Sequence, residues 1–212
     1  MRYLLFITTL FLLTPAQAQV SFGLLAGYNR SQEKYDVEVP EDAQLHIASY
    51  HISGLLTVPV SKRFSVMTEA GFIQRGAACE PGFVGFAQDS ELRLHYGNLT
   101  VNTSYDVLKW GRLKVSAYAG FSGSYLLSGN TTITFEDFQG PGRVRRDLEL
   151  ENNDRWNRLD TGLSYGSMIK FQFGCGDIIT RVGGYRGFID VDSNNGSLSR
   201  DFLLSIGYSQ GL

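Results

Sequence analysis

The sequence predicts an all-β protein, an eight-stranded antiparallel up-and-down transmembrane β-barrel. Three observations predict it. Leu113 to Leu127 (LKVSAYAGFSGSYLL) alternates apolar or small residues with mostly polar or tiny ones, Leu126 being the exception. Such a period of two puts the two sets on opposite faces of a strand. The stretch is far longer than the 5–6 residues or so of an ordinary soluble strand, and it reaches the ~9–11 residues that cross a bilayer. The composition is Gly-rich and aromatic-rich, with 24 Gly, 13% aromatic and 19% charged residues, which suits strands and turns rather than helices. Finally, the links between successive alternating segments are long, short, long, short, long, short and medium. That is the pattern of a barrel with short periplasmic turns and long outer loops.

The chain opens with an expected signal peptide over residues 1–18. Arg2 is a short basic region, Tyr3 to Leu13 is apolar, Pro15 breaks it, and Ala16-Gln17-Ala18 is a small-x-small cleavage site. The barrel domain is expected over 19–212. Without Arg2 the mature chain carries 18 basic and 21 acidic side chains, a balance that argues against a nucleic-acid partner. No later apolar run approaches the roughly eighteen residues of a transmembrane helix. Membrane insertion therefore requires a closed barrel, which leaves no backbone group unpaired in lipid.

Eight strands are expected in order. The first, Val20 to Asn29, places Phe22, Leu24, Ala26 and Tyr28 on one face. A polar stretch from Arg30 to about His46, with Pro40, reads as a long loop. The second, about Ile47 to Val58, aligns Tyr50, Ile52, Gly54, Leu56 and Val58, and a tight turn follows at Pro59 to Arg63. The third, Phe64 to Arg75, sets Phe64, Val66, Thr68, Ala70 and Phe72 opposite Glu69, Gly71 and Arg75. Gly76 to about Glu91 reads as a loop. The fourth, Leu92 to Val107, changes parity between Tyr96 and Leu99, which implies a bulge at Gly97-Asn98. The fifth is Leu113 to Leu127, and Ser128 to Arg158 is the longest loop. The sixth, Leu159 to Phe173, separates Thr161, Leu163, Tyr165, Ile169 and Phe171 from Asp160, Gly162, Ser164, Gly166, Lys170 and Gln172. A turn at Gly174 to Asp177 leads to the seventh, Ile178 to Ile189, whose facing the pattern leaves open. The eighth, Leu198 to Tyr208, aligns Phe202, Leu204, Ile206 and Tyr208.

Two aromatic girdles are expected, with Phe64, Trp110, Phe171, Phe173 and Tyr208 below and Tyr28, Tyr50, Phe72, Tyr96, Tyr125 and Tyr165 above. The topology puts Cys79 and Cys175 at opposite ends. A disulfide needs Cα atoms within about 7 Å, so two free thiols are expected.

Several segments resemble a known family. Gly23-Leu24-Leu25-Ala26-Gly27-Tyr28-Asn29 resembles the glycine-rich opening strand of the porin-family outer-membrane β-barrel domain common in Bacteroidota. Glu69-Ala70-Gly71-Phe72-Ile73-Gln74-Arg75-Gly76 is similar to its Glu-led third strand. Tyr185-Arg186-Gly187-Phe188-Ile189 and Leu204-Ser205-Ile206-Gly207-Tyr208 resemble its last two strands. The chain departs from the family at Gly97-Asn98, where a Pro is usual, and at Ser209 to Leu212, which trail past the usual terminal aromatic. The resemblance implies an integral outer-membrane barrel, OmpX-like in size, and no single activity.

The candidate chemistry is sparse. All three histidines (His46, His51, His95) fall in the first half, and the Ser/His pair of an outer-membrane hydrolase is missing from the late strands. His51 and Ser53 share a face with Asp36 upstream, but nothing fixes a triad. Asp190-Val191-Asp192-Ser193-Asn194, with Asp201 at the twelfth position, has calcium-loop spacing but carries Asn195 where the turn requires Gly. No enzyme, metal or cofactor is expected. Glu69, Arg75, Arg93, Lys114, Asp160 and Lys170 all take lumen parity, and an eight-stranded barrel is just wide enough for side chains to fill it. Such charges must pair, so a plugged lumen is expected, with a narrow pore as the alternative. Arg143, Arg145 and Arg146 form a candidate loop patch for lipopolysaccharide phosphates or a protein partner. The expected protein is a monomeric, non-enzymatic outer-membrane barrel in contact with membrane lipid and lipopolysaccharide, acting through its outer loops. A narrow channel, a secretion-machinery component and a periplasmic lipocalin-like barrel are the alternatives. A soluble barrel requires the reverse facing, apolar within and polar without.

Overall fold

The computed structural model describes residues 19–35, 44–79, 87–137, 140–148, 150, 156–192 and 196–212. The expected signal peptide, residues 1–18, lies outside them. Ten strands run in chain order: β1 (Ser21–Tyr35), β2 (Gln44–Leu45), β3 (Ile47–Pro59), β4 (Phe64–Cys79), β5 (Ala87–Trp110), β6 (Leu113–Asp137), β7 (Gly140–Asp147), β8 (Leu159–Phe173), β9 (Gly176–Gly187) and β10 (Ser197–Gly211). Eight of them close a ring in the order β4-β3-β1-β10-β9-β8-β6-β5, with β5 returning to β4. Every pairing is antiparallel. Closure removes every sheet edge, the condition for a strand protein in lipid. β2 and β7 are short additions at the outer end, pairing with β4 and β6.

The facing follows the alternation. In β6, Ser116, Tyr118, Ser122, Ser124 and Leu126 are buried, whereas Phe121 is 70% exposed and Tyr125 and Leu127 are exposed with it. In β1 and β10, Leu24 (60%) and Ile206 (64%) face outward, while Leu25 and Ser205 (1% each) face inward. Large apolar side chains cover the outer wall, the reverse of a soluble barrel. Phe64, Trp110, Phe171, Phe173 and Tyr208 are exposed at the turn end, and Tyr28, Tyr50, Phe72, Tyr125 and Tyr165 are exposed further up.

The periplasmic turns are tight. Gly111 and Gly174 hold φ of 57° and 63°, a left-handed conformation that glycine adopts without a Cβ penalty. The turn at Cys175 leaves that thiol free and exposed. Cys79 is the last residue of β4, sixteen residues along the strand from the turn end. At roughly 3.3 Å per residue, the two cysteines sit at opposite ends of the barrel.

Three expectations are corrected. The fourth strand does not change parity at Gly97-Asn98. Leu94, Tyr96, Thr100, Asn102, Ser104 and Asp106 are all buried on one face of β5, and Tyr96 (0%) belongs to the lumen rather than to a girdle. The irregularity lies across the ladder. His95 pairs with Ser128 and Tyr96 with Leu126, so Leu127 of β6 is the extra residue. A second shift, between Asp106 and Leu108, makes Val107 extra in β5.

The segments Gly76–Glu91 and Ser128–Arg158 are not loops throughout. β4 runs on to Cys79, β5 begins at Ala87, β6 runs on to Asp137, and β7 returns against it from Gly140. β5 spans 24 residues and β6 spans 25, about twice what a bilayer needs. The β5–β6–β7 wall therefore projects beyond the membrane. The outer face of β5 marks the boundary, being apolar from Leu99 to Leu108 and carrying His95 and Arg93 above.

The seventh strand, whose facing the sequence left open, turns Ile179, Arg181, Gly183 and Tyr185 inward and Thr180, Val182 and Arg186 outward.

Candidate functional site

The lumen is the most heavily charged buried region among the described residues. β4 supplies Glu69 and Arg75 from the face opposite Phe72. β8 supplies Asp160, β9 supplies Arg181 and Tyr185, and β10 supplies Asp201. Arg75 Nε donates to Asp201 Oδ2 at 2.6 Å. Its Nη1 donates to Asp160 Oδ2 at 2.8 Å and to Ser124 Oγ at 3.0 Å. The guanidinium stacks over the Tyr185 ring at 4.0 Å and lies 5.3 Å from the Tyr96 ring. The Tyr185 hydroxyl donates to Asp160 Oδ1 at 2.8 Å. Asp160 thus accepts on both oxygens, and Arg75 is held by charge, hydrogen bonds and two aromatic faces.

A second ion pair joins Arg181 Nη1 to Glu69 Oε1, and Arg181 lies 5.4 Å from the Tyr118 ring. Two arginines thus face three carboxylates in the closed interior. A hydroxyl and amide ladder from Asn98, Thr100, Ser122 and Ser124 joins the same wall.

Two apolar clusters complete the filling. Leu25, Leu55, Met67, Tyr118, Met168 and Ile179 form one. Ile73, Leu94, Tyr96, Leu126 and Val191 form the other, with Leu92, Leu148, Leu150, Trp156 and Leu203 packed against it. A small pocket of about 40 Å³ borders the charged layer, lined by His51, Ser53, Glu69, Arg75, Arg181 and Tyr185 with others.

A larger cavity of about 350 Å³ opens at the turn end. Lys62, Lys109, Lys114, Lys170, Asp106 and Asp177 line it. Asp106 takes Lys109 at 3.0 Å, Lys114 at 3.7 Å and the Ser116 hydroxyl at 2.7 Å. Lys170 is buried directly opposite Lys114 in the β6–β8 ladder.

At the other end the β6–β7 hairpin carries Arg143, Arg145 and Arg146, all exposed. Arg145 is 3.9 Å from Asp147, with both side chains mostly in solvent. A groove of about 820 Å³ between the hairpin and the barrel rim is lined by His95, Ser128, Asn130, Arg145, Asp147, Leu148 and Arg158 with others. His95 stands above the apolar band. Burial, and then Arg145 and Arg93, hold its pKa below the usual histidine value.

The family model described as "Outer membrane protein beta-barrel domain" matches residues 15–193. The chain belongs to that family. As a member of the outer-membrane barrel domain family, it is located in the outer membrane. No curated protein matches its sequence. Among solved structures it is similar to Ail, the attachment invasion locus protein of Yersinia pestis, at 13% identity and TM-score 0.45, over 90% of this chain and 99% of that one. It is similar to Neisserial surface protein A at 10% identity and TM-score 0.48, over 90% and 97%. It is also similar to the outer membrane protein OprG from Pseudomonas aeruginosa at 9% identity and TM-score 0.49, over 91% and 96%.

Of the charges expected in the lumen of this barrel domain, the structure joins Arg75 to Asp160 and places Glu69 nearby on Arg181. Lys114 and Lys170 share the inward parity and line the turn-end mouth of the lumen. Arg93 stands elsewhere. It pairs across the ladder with Gly76, one residue beyond lumen-facing Arg75, so it takes the opposite face. There it meets Glu91 and accepts no place in the lumen, its Nη1 lying 3.4 Å from Gln74 Oε1. The mistaken fourth-strand parity accounts for this. Arg143, Arg145 and Arg146 lie on a strand rather than in a loop.

The other candidate motifs lie partly outside the described residues. His51 Nε2 bonds Ser205 Oγ at 2.9 Å rather than Ser53, and its Nδ1 has no partner. A catalytic base needs a third group to orient it. Asp36 lies outside the described residues, as do Ser193, Asn194 and Asn195 of the calcium-like loop. Asp201 is bound by Arg75. Among the described residues no cluster of three or more His, Cys, Asp or Glu side chains is placed to hold a metal.

Arg181, Tyr185 and Asp201 are the lumen residues that the sequence reading missed. The Ile178-Ile179 and Gly183-Gly184 doublets blur the parity of β9, but charged Arg181 placed between Thr180 and Val182 is itself a signal. A charge within a membrane strand belongs inside.

Proposed function

We propose that this outer-membrane barrel is a non-enzymatic envelope protein whose lumen is plugged and whose activity resides in its outward-projecting β5–β6–β7 wall. The Bacteroidota-type motifs of its strands accord with a small barrel of this kind. One observation carries the reading: the buried Arg75–Asp160–Asp201 and Arg181–Glu69 ion pairs cross the interior between two apolar clusters. A path for solutes or ions would have to break the Arg75 and Arg181 ion pairs. The hairpin is the second support, since it extends well past the apolar band and presents Arg143, Arg145 and Arg146 to solvent. Their guanidinium forks suit carboxylate or phosphate groups on a surface partner or on lipopolysaccharide.

The test is planar-bilayer recording on the purified full-length chain. Baseline current is expected, and steady, reproducible open-channel steps would make the protein a narrow pore. A variant with Arg143, Arg145 and Arg146 changed to Gln should fold and insert as the parent does, while losing adhesion to anionic surfaces.

A further inference from the structure

Three neighbouring strands each carry an arginine on the outer face, above their run of lipid-facing residues. The outer face of β1 reads Phe22, Leu24, Ala26, Tyr28 and then Arg30. That of β10 reads upward through Tyr208, Ile206, Leu204 and Phe202 to Arg200. That of β9 rises through Val182 and Gly184 to Arg186. All three arginines are exposed. Arg186 and Arg200 are direct partners in the β9–β10 ladder, and like charges directly opposite each other are destabilising. Among the described residues no carboxylate forms an ion pair with any of the three. The nearest in sequence, Asp201, turns inward to Arg75. A shallow groove of about 410 Å³ lies between Arg30, Arg200, His46 and Phe202, with Asp201 behind.

The height of the cluster points to its occupant. It stands just above Tyr28 and Tyr50 of the outer aromatic girdle, with Arg30 level with Phe202, where lipid headgroups lie. It is at the end with the long connections, so the leaflet is the cell-surface one. Arginine forks bind phosphate through two parallel N–H···O bonds, and the apolar ladder directly below suits acyl chains. We propose that Arg30, Arg186 and Arg200, with His46 at the margin, dock the phosphates of an acylated, phosphorylated glycolipid of the outer leaflet. The anion relieves the Arg186–Arg200 repulsion. The site lies across the barrel from the β6–β7 hairpin, so its loss leaves the hairpin reading untouched.

The test uses the full-length folded chain in zwitterionic detergent. Diphosphorylated lipid A, its dephosphorylated form and inorganic phosphate are added separately, and retained lipid is read by native mass spectrometry. The diphosphorylated form should be retained. The Arg30→Gln/Arg186→Gln/Arg200→Gln variant should retain roughly tenfold less, and an Arg112→Gln control, exposed at the turn end, should match the parent. Arg186→Gln alone should raise the heat-modifiability midpoint in lipid-free detergent and reduce the further rise that lipid A gives. Equal retention by parent and belt variant overturns the proposal, as does equal retention of the dephosphorylated form. A midpoint rise with inorganic phosphate as large as that with lipid A also overturns it, because the occupant is then a free ion. A lower midpoint for Arg186→Gln without lipid refutes the repulsion.

Discussion

Replacing Arg75 by Met leaves Asp160 and Asp201 buried together with no cation between them. Both carboxylate side chains are fully enclosed, and Arg75 supplies each with a bond of 2.8 Å or less. Removing one partner of a buried ion pair costs about 3–5 kcal/mol, because the remaining charge stays uncompensated. Here two charges are stranded, and the Ser124 bond and the Tyr185 stack go as well. Met fills much of the volume, so the cavity contribution is small. We expect a loss of about 4 kcal/mol. With a urea slope of about 2 kcal/mol/M, that moves the midpoint down by about 2 M.

The assay is urea unfolding of the barrel in lipid vesicles, followed by heat-modifiable gel mobility and tryptophan fluorescence. The triple variant Arg75→Met/Asp160→Asn/Asp201→Asn should recover at least half of the loss, since it removes the stranded charges with the arginine. A single-variant loss below about 1 kcal/mol would mean that the carboxylates are solvated, and the plug argument would fail with it.

Other consequences follow from the same packing. The Tyr118 hydroxyl sits against Gly166 and Gly183, where an added Cβ has no room. Gly183→Val should therefore destabilise by about 1–3 kcal/mol, and Tyr118→Phe should relieve part of that loss in a double-mutant unfolding cycle. His95 has a lowered pKa, so the folded hairpin region binds fewer protons than the unfolded one, and its stabilisation is lost as pH falls below about 6.5. Protection of the β7 amides, corrected for the intrinsic exchange rate, should fall between neutral and mildly acidic pH, and His95→Gln should flatten that fall; an unchanged protection profile would show that burial of the ring beside Arg145 and Arg93 does not oppose its protonation. Cys175 should react with an impermeant maleimide only from the periplasmic side. Oxidation should produce no Cys79–Cys175 link, and detection of one would break the topology.

The outer wall was legible because lipid imposes a single rule on every strand. Each position that faces hydrocarbon must be apolar, so Phe22, Leu24, Ala26 and Tyr28, or Phe202, Leu204, Ile206 and Tyr208, declare their face unaided. The lumen imposes no such rule. Its filling mixes charged, hydroxyl and large apolar side chains, so Leu94, Tyr96 and Ile179 resemble outward residues when read by hydropathy alone. That ambiguity moved Arg93 into the lumen and left Arg181 and Tyr185 unplaced. Asp201 was drawn into a calcium-like spacing by the acidic loop before it, although Ser197, Ser199, Asp201, Ser205 and Ser209 share one small, polar, inward face. The hairpin was legible in principle. Thr131-Thr132-Ile133-Thr134-Phe135 is a β-branched and aromatic run, and Gly140-Pro141-Gly142 follows it as a natural breaker.

The mixed lumen also explains why the fold tolerates a buried charge cluster at all. Replacing a fully paired buried cluster with apolar residues of like volume is often neutral or stabilising, so Arg75, Arg181 and their carboxylates are not needed to hold eight strands together. Their effect on the unfolded chain is different. Were the inward positions of β9 apolar, Ile178 to Tyr185 would become an apolar and glycine run broken only by Thr180. A barrel strand must be half apolar for lipid, and an inward face of equal apolarity would push the segment towards the helical spans that a bilayer accepts directly. Polar residues at alternate positions keep every strand below that limit. Once the barrel closes, the same residues are drawn into the dry interior, where each must find a partner. The Arg75–Asp160–Asp201 and Arg181–Glu69 groupings answer that demand across four strands. A plugged lumen, as proposed above, would therefore follow from the alternation that builds a barrel strand, and it would not require selection for a sealed pore.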